Sequence, residues 1–534
     1  MTTLNLDGRR RAAVWRALEE RRFDLLVIGG GITGAGIARD AALRGLSVAL
    51  VEARDYASGT SSRSSKMIHG GLRYLSQGDI ALVKEAASER QILRRIAPHL
   101  ARIMPFLIPV PSLASLAKLR AGLWSFEKLG GVPESERHEV LNVAQFAARE
   151  PLMRVEGSNG AVAYPEFLTD DARLVLANIR SAQAAGAVVL NYAEARALLF
   201  EEGRTAGALV RSTLTGETNE VRIRARLVVN AAGPWLDAVR ALERDGAEAR
   251  LSLSRGIHLV FARARLPIEN TLILRAEDKR SIFVVPRGDF TYVGTTDTFY
   301  PSSDYWPKIT QDDVAYLLRA VERWLKTPKL VDGDIVALWA GVRPLIAEPG
   351  KKANEVSRKD EIWTAPSGLV SIGGGKLSAY RAMAARVVDL VVERLEATAR
   401  ACATAEAPLP GAEGLEAARS ALSHLGAQGE RLIGLYGGEA SSVVADGGDV
   451  AVEARRAVTS EGAVRLEDYW VRRSARAWFD VRAGLDSLVP AAAAMGALLG
   501  WDAQRQADEV AHCTQLEKQC RSALRPDARE MGHG

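Results

Sequence analysis

Two short, mostly apolar runs near the start of the chain predict a pair of buried strands with a helix between them. Residues 23–28 and 46–51 are long enough for strands that are covered on both faces. Residues 33–44 have the composition of a helix, which Gly45 ends. Strand, turn, helix and strand follow one another within about 30 residues, the size of a nucleotide-binding βαβ unit.

The turn between the first strand and the helix reads GGGITG, a G-x-G-x-x-G motif. Gly29 allows the tight turn, Gly31 lets the backbone approach a pyrophosphate, and Gly34 lets the helix and strand pack closely. The N–H groups that open the helix then face the diphosphate. Glu52 ends the second strand, where a carboxylate accepts both ribose hydroxyls and disfavours a 2′-phosphate. These residues predict a dinucleotide site and leave NAD and FAD open.

The remaining hydrophobic spacing predicts alternating helices and strands, followed by a helical C-terminal part. A helix is expected in residues 1–22, packed against the nucleotide domain. Further helices are expected at 80–102, 113–129, about 175–185 and about 380–399, and strands at 186–192, 221–230, 281–286, 290–295 and 369–372. After a linker at 401–414, helices are expected at 415–425, 450–459, 465–483, 489–499 and 502–520.

The composition narrows the class of protein. The chain has 534 residues, enough for two or three domains, with 47% hydrophobic and 25% charged residues. A net charge of +5 does not indicate a nucleic-acid binder, but it suits an anionic substrate or an anionic membrane surface. The three cysteines (Cys402, Cys513 and Cys520) argue for a reducing compartment, and we interpret the last two as packing residues, with no metal site. No run of about 20 apolar residues predicts a membrane-spanning helix.

A small, polar stretch follows the second strand, where the chain must pass the rest of a bound dinucleotide. Residues 59–75 read GTSSRSSKMIHGGLRYL. This stretch, and residues 28–45 before it, resemble the FAD-dependent glycerol-3-phosphate dehydrogenase family. So do the DDARL segment at 170–174, the RGIH segment at 255–258 and GGGKLSAYR at 373–381. Ala379 stands where the family usually has Ser, Thr, Gly or Glu. The resemblance is strong over residues 22–395 and looser in the tail.

The resemblance implies FAD as the nucleotide and an α/β fold. A Rossmann-type FAD-binding domain (about 23–80, 160–255 and 335–400) would be interleaved with an α+β substrate-capping domain (about 81–159 and 256–334). This arrangement is that of the flavin oxidase superfamily. A C-terminal helical domain (415–534) would follow the linker. The cofactor-binding residues would be Gly29, Gly31, Thr33, Gly34, Glu52, Thr60, Ser61, Ser65, Lys66, Gly70, Gly71, Ala232, Gly233, Gly374, Gly375, Lys376 and Leu377.

The implied reaction is oxidation of sn-glycerol 3-phosphate, a small phosphorylated polyol, to dihydroxyacetone phosphate. Arg73 and Arg358, with Tyr74, would bind the phosphate, since guanidinium groups bind two oxygens at once. His258 has a suitable unperturbed pKa for the base that takes the hydroxyl proton. The same site needs positive charge beside the developing carbonyl, for which we expect Arg343 and Lys376. If His258 is not the base, Arg343 would polarise the hydroxyl and water would take the proton.

The family's usual electron acceptor is a membrane quinone, which implies a cytoplasmic protein or a peripheral protein on the cytoplasmic face of the inner membrane. The amphipathic pattern at 113–129, with Trp124 and basic flanks, fits either a membrane-interface helix or a helix packed on its own domain. A homodimer is compatible with the sequence. The alternatives are a glycerol-3-phosphate oxidase that uses oxygen, an FAD amino-acid or amine oxidase, and a non-catalytic flavoprotein. The cationic set of site residues argues against the amino-acid oxidase.

Overall fold

The first βαβ unit forms at the centre of a β-sheet. This computed structural model describes residues 6–69, 80–243, 248–348 and 359–525. Strand β1 (Arg22–Ile28) is followed by helix α2 (Ile32–Leu43) and strand β2 (Val48–Val51), which pairs with β1 in parallel. The predicted strand–helix–strand unit is therefore confirmed. Both strands are buried because helices cover one face of the sheet and further strands with α1 cover the other.

The first sheet has eight strands in the described residues. Strands β18, β10, β1, β2 and β7 run parallel in that order; β17 and β9 add antiparallel neighbours, and β8 pairs with β9. Their bounds are β7 Val188–Leu190, β8 Ala193–Glu201, β9 Arg204–Ser212, β10 Glu220–Asn230, β17 Asp360–Thr364 and β18 Val370–Gly374. The parallel strands place the segments after β1, β10 and β18 at one edge of the sheet.

The second sheet has ten strands in the described residues. The path β15-β11-β14-β13-β12-β4-β6-β3 is extended by β16 beside β11 and β5 beside β6. The bounds are β3 Met67–Ile68, β4 Arg102–Pro109, β5 Glu139–Leu141, β6 Ala161–Leu168, β11 Leu251–Ala262, β12 Thr271–Arg275, β13 Ser281–Arg287, β14 Phe290–Gly294, β15 Thr298–Phe299 and β16 Ile335–Ile346. Strands β13 and β14 form the predicted hairpin.

Helices pack on both sheets and make up the C-terminal part. Those before residue 400, besides α2, are α1 Arg11–Glu20, α3 Ile80–Ile96, α4 Leu113–Gly130, α5 Val143–Arg149, α6 Asp171–Ala184, α7 Leu236–Ala241, α8 Gln311–Trp324 and α9 Tyr380–Leu395. Those after it are α10 Leu415–Leu422, α11 Ala427–Tyr436, α12 Ala440–Ala445, α13 Val450–Glu461, α14 Arg476–Phe479, α15 Leu488–Leu499 and α16 Ala503–Arg521. As predicted, α1 packs on the first sheet, through Val14, Trp15 and Leu18.

The sheets divide the chain at other places than the predicted domain boundaries. Strands β6 and β16 belong to the second sheet, although they lie within the segments 160–255 and 335–400 that were predicted for the FAD domain. Strand β3, within the predicted segment 23–80, also joins the second sheet. Hydrophobic spacing indicates that a segment is a strand, but which sheet it joins depends on contacts between distant segments.

The prediction of one continuous helix at 465–483 is wrong. A π-helical turn, Asp468–Arg473, is followed by the short helix α14 and a turn. Ala475 has a left-handed backbone (φ +55°), and Arg482, Ala483 and Gly484 do as well. These left-handed residues interrupt the helix, and buried side chains of the π-helical turn contact Asp55 in the nucleotide domain, as described below.

Candidate active site

One large cavity lies at the edge of the first sheet where the parallel strands β1, β10 and β18 end. Its volume is about 1600 Å³, counting the open space at its mouth. The carboxyl ends of parallel strands are the usual place for a ligand in such a sheet. The cavity wall includes many of the predicted site residues: Gly29, Gly31, Thr33, Glu52, Thr60, Ser61, Ser65, Ala232, Gly233, Arg343, Gly374, Gly375, Lys376 and Leu377.

Each glycine of the G-x-G-x-x-G turn has a separate structural reason. Gly29 has φ +112°, and a Cβ there would lie 2.5 Å from the Ala231 carbonyl oxygen. A Cβ on Gly34 would lie 1.9 Å from the Gly29 carbonyl oxygen, so Gly34 does not line the cavity but lets α2 approach the turn. A Cβ on Gly31 would meet only Ser61 Oγ within 4 Å, at 3.3 Å. Gly31 thus leaves room for a ligand against the backbone.

Glu52 stands at the end of β2 with its carboxylate on the cavity wall. One oxygen accepts a hydrogen bond from the Gly30 N–H (2.7 Å) and the other from the Arg54 N–H (2.9 Å). Burial raises the pKa of Glu52 above its ordinary value, and the two N–H donors oppose that shift. The carboxylate is thereby held in one orientation beside the glycine-rich turn, which is the position predicted for a ribose ligand.

The polar loop after Glu52 is held in place by its own hydroxyl groups. Thr60 Oγ1 donates to the Val342 carbonyl (2.6 Å), and Ser61 Oγ accepts from the Ile32 N–H (3.0 Å). Lys66 differs from the prediction, because its ammonium group lies behind the wall, 2.5 Å from Asp171 Oδ1, with its side chain 2% exposed. Since that ion pair occupies the charge, Lys66 fixes the loop and does not present its side chain to the cavity.

Two cationic residues, Arg343 and Lys376, line the cavity. Arg343 projects from β16, where Nη1 lies 3.2 Å from Asp297 Oδ1 and Nη2 donates to Thr295 Oγ1 (2.9 Å). These contacts orient the guanidinium while the side chain stays 20% exposed. Lys376 follows two glycines with positive φ, Gly374 at the end of β18 and Gly375 directly after it. The structure therefore brings both predicted charge-stabilising residues to the same cavity as the glycine-rich turn.

His258 lies behind the cavity wall. It is buried in β11, stacked on Trp339 with ring centroids 4.6 Å apart, and its Nε2 is 2.9 Å from Ser65 Oγ. Burial lowers the pKa of His258 well below its ordinary value, and the charges of Arg343 and Lys66 lower it further. The imidazole is therefore neutral at pH 7, and its path to the cavity runs through the Ser65 hydroxyl.

Five predicted residues lie outside the described residues: Gly70, Gly71, Arg73, Tyr74 and Arg358. The cavity is also lined by residues that sequence reasoning did not single out, and His69 and Asp171 are among them. Asp171 accepts from the Ser64 N–H and hydroxyl (3.0 and 2.7 Å) as well as from Lys66. Both belong to segments that carried the family resemblance, and that was the available signal.

Comparison with known proteins agrees with this geometry. The profile of the family described as FAD dependent oxidoreductase matches residues 24–381, and that of the C-terminal domain of alpha-glycerophosphate oxidase matches residues 402–506. The aerobic glycerol-3-phosphate dehydrogenase of Staphylococcus haemolyticus is 41% identical over 421 residues, covering 77% of this chain and 74% of the relative. The chain belongs to the FAD-dependent glycerol-3-phosphate dehydrogenase family. The aerobic glycerol-3-phosphate dehydrogenase of Bacillus subtilis is 40% identical over 400 residues, which cover 74% of this chain and 72% of the relative.

A solved structure of this family shares the whole fold of this chain. The glycerol-3-phosphate dehydrogenase of Bacillus halodurans, solved with FAD, has a TM-score of 0.81 and 32% identity and covers 98% of this chain and 99% of its own. The L-alpha-glycerophosphate oxidase of Mycoplasma pneumoniae shares the fold at a TM-score of 0.55 and 17% identity, covering 73% and 99%. The FAD-binding fold with a C-terminal helical domain is therefore confirmed.

The cavity fits the FAD that family membership requires. A Cβ on Gly233 would meet no atom within 4 Å, and Gly31 leaves similar space on the opposite segment. Glu52, which lines the same cavity, would supply the carboxylate for the ribose. Within the described residues, no helix is long and apolar enough to cross a membrane.

Proposed function

We propose that this protein oxidises sn-glycerol 3-phosphate to dihydroxyacetone phosphate, with electrons passing through FAD to a membrane quinone. The observation that carries the proposal is that one cavity joins the dinucleotide turn and Glu52 to the cations Arg343 and Lys376. An amino-acid oxidase needs an apolar pocket and one group that binds the substrate carboxylate, so it would not require both cations. Sequence similarity to curated glycerol-3-phosphate dehydrogenases over three quarters of the chain supports the same substrate.

FAD, when bound, supplies the acceptor for the hydride that leaves C2 of the substrate. Arg343 and Lys376 stabilise the negative charge that develops on the C2 oxygen as its proton leaves. Asp297 and Thr295 hold the Arg343 guanidinium in one orientation, so little reorganisation is needed during the reaction. For the substrate phosphate, Arg73, Tyr74 and Arg358 remain our proposed ligands.

The proton of the C2 hydroxyl needs an acceptor that reaches the cavity. We assign this role first to His69, which is one of the residues lining the cavity, and second to His258. His258 is neutral and thus able to accept a proton, but it lies behind Ser65. Geometry comes before pKa in choosing a base, which is why His69 replaces our sequence-based choice.

Helix α4 supports a peripheral contact with a membrane, where a quinone resides. Leu123 and Phe126 are buried, whereas Leu113 and Trp124 are 72% and 59% exposed. Lys118, Arg120 and Lys128 are also exposed on this helix. An exposed apolar face flanked by cations is typical of helices that lie in an anionic membrane interface. We further expect a homodimer, which light scattering measures directly.

The test is an anaerobic absorbance spectrum of the purified holoprotein before and after sn-glycerol 3-phosphate is added. We expect loss of the oxidised-flavin band with this substrate and no change with glycerol, which lacks the phosphate. Bleaching by an amino acid, or none by glycerol 3-phosphate, would refute the proposed substrate. A soluble quinone or oxygen is then added to the reduced protein. The acceptor is the one that restores the oxidised-flavin band faster.

A further inference from the structure

A buried ion-pair cluster joins the C-terminal helical domain to the loop beside the dinucleotide turn. The π-helical turn Asp468–Arg473 contributes two arginines that meet Asp55, and all three side chains are at most 1% exposed. Arg472 Nε lies 2.5 Å from Asp55 Oδ2, and Arg473 contacts both oxygens, with Nη2 2.9 Å from Oδ1. Asn191 also donates to Asp55 Oδ1 (3.0 Å).

Asp55 sits in the middle of a loop that holds Gly30 from both sides. The Glu52 carboxylate, three residues before Asp55, accepts from the Gly30 N–H at 2.7 Å. The Ala57 N–H, two residues after it, donates to the Gly30 carbonyl at 3.0 Å. The position of Asp55 therefore bears on the backbone of the G-x-G-x-x-G turn and on the carboxylate predicted to bind ribose.

The charges of this cluster depend on one another. Burial alone would raise the pKa of Asp55, but Arg473 and Arg472 more than offset burial and hold the pKa below its ordinary value. A buried ion pair adds little net stability compared with apolar residues of the same size, whereas removing one partner leaves an unpaired buried charge. The main effect of such an ion pair is therefore to fix the positions of the segments that it joins.

A second buried ion pair lies near the other end of this loop, close to Ser64 and Lys66. Arg173 forms two bonds of 2.7 Å to Glu461 in α13. Burial opposes ionisation of Glu461, but Arg173 lowers its pKa to about 2. Two residues before Arg173, Asp171 holds Ser64 and Lys66 of the loop. The C-terminal domain therefore contacts the loop directly at Asp55, and it contacts the other end of the loop indirectly, through the helix that carries Asp171 and Arg173.

We propose that the C-terminal helical domain positions the adenosine half of the FAD site, with Arg473 as the positioning residue that holds the Asp55 loop against Gly30. Arg473 itself does not line the cavity, so it acts through Asp55. This inference rests on the FAD site of the proposed function but not on the substrate. Its test measures FAD binding alone and is therefore independent of whether glycerol 3-phosphate is oxidised.

The experiment compares Arg473→Gln with a matched control, Arg431→Met. Arg431 pairs with the buried Glu453 inside the C-terminal domain and also donates to the Ser474 carbonyl (3.5 Å), and among the described residues it forms no hydrogen bond or ion pair with the loop. FAD is removed from each protein, the dissociation constant is measured by flavin fluorescence titration, and the thermal midpoint of the apoprotein is recorded. If fewer than a tenth of the molecules keep the competent loop geometry, Arg473→Gln raises the FAD dissociation constant at least about tenfold. Arg431→Met should leave it within about twofold even where it lowers the midpoint as much.

A second variant covers the case in which Arg473→Gln fails to fold. The double variant Asp55→Asn/Arg473→Gln removes one charge of each sign, so that the buried cluster keeps its net charge, and it should still bind FAD at least about tenfold more weakly. Arg473→Lys should restore part of the affinity. An FAD dissociation constant unchanged in the double variant, or raised equally by Arg431→Met, would overturn the proposal.

Discussion

Two substitutions in the glycine-rich turn separate folding from cofactor binding. In Gly34→Ala the new Cβ would lie 1.9 Å from the Gly29 carbonyl oxygen, so the helix and turn must separate by about 1.1 Å to reach 3.0 Å. The obstacle is backbone, which cannot rotate away, so we expect a loss near the upper end of overpacking, about 3 kcal/mol. In Gly31→Ala the Cβ meets only Ser61 Oγ at 3.3 Å, and the backbone (φ −76°) suits any residue.

The assay records the thermal midpoint of the FAD-free protein together with the FAD dissociation constant. Gly34→Ala should lower both the midpoint and the affinity. Gly31→Ala should leave the apoprotein midpoint within about 1 °C, since surface-like changes contribute at most about 0.5 kcal/mol, yet lower the affinity because the methyl group occupies ligand space. A Gly31→Ala protein that binds FAD with parental affinity would refute our assignment of this turn to the diphosphate. A Gly34→Ala protein of parental stability would refute the packing argument.

The remaining predictions concern the substrate, the base and acid stability. Arg358→Ala should raise the substrate concentration for half-maximal rate while FAD stays bound; an unchanged value would remove Arg358 from the phosphate site. Arg343→Met should slow flavin reduction by about 10²–10³-fold in stopped-flow absorbance, and a parental rate would exclude it as the charge-stabilising group. His69→Asn should slow reduction more than His258→Asn, and the reverse order would return the role of base to His258. The ion pair of Glu461, whose pKa falls from 4.5 to about 2, contributes about 3 kcal/mol above pH 4.5 that is lost as the pH falls towards about 2. The difference in thermal midpoint between the parent and Glu461→Gln should therefore shrink over that pH range; a constant difference would contradict the shift.

Local sequence determined the elements that depend on neighbouring residues alone. The strand, turn and helix at 22–43 follow from a short apolar run, three spaced glycines and a helical stretch, and the contact that requires Gly34, with the Gly29 carbonyl oxygen, lies within the turn itself. The hairpin of β13 and β14 was also predictable from local sequence, because a short polar turn joins its two apolar runs.

Features that join distant segments were not available from the sequence. Lys66 was expected at the cofactor, but Asp171, 105 residues away, holds its charge. Sequence reasoning singled out His258 as the base, and only the folded chain shows that His258 is buried behind Ser65 while His69 is among the residues lining the cavity.

The sequence by itself thus determined the nucleotide-binding unit, through local patterns of glycine, apolar and acidic residues, and its resemblance to a known family implied FAD as the cofactor. The tertiary structure alone decided which charges are paired, which strands join which sheet, and that the C-terminal arginines reach Asp55, 418 residues before Arg473. The physical reason is that a buried charge is stable only with a partner, and the partner is chosen by packing in three dimensions and not by distance along the chain.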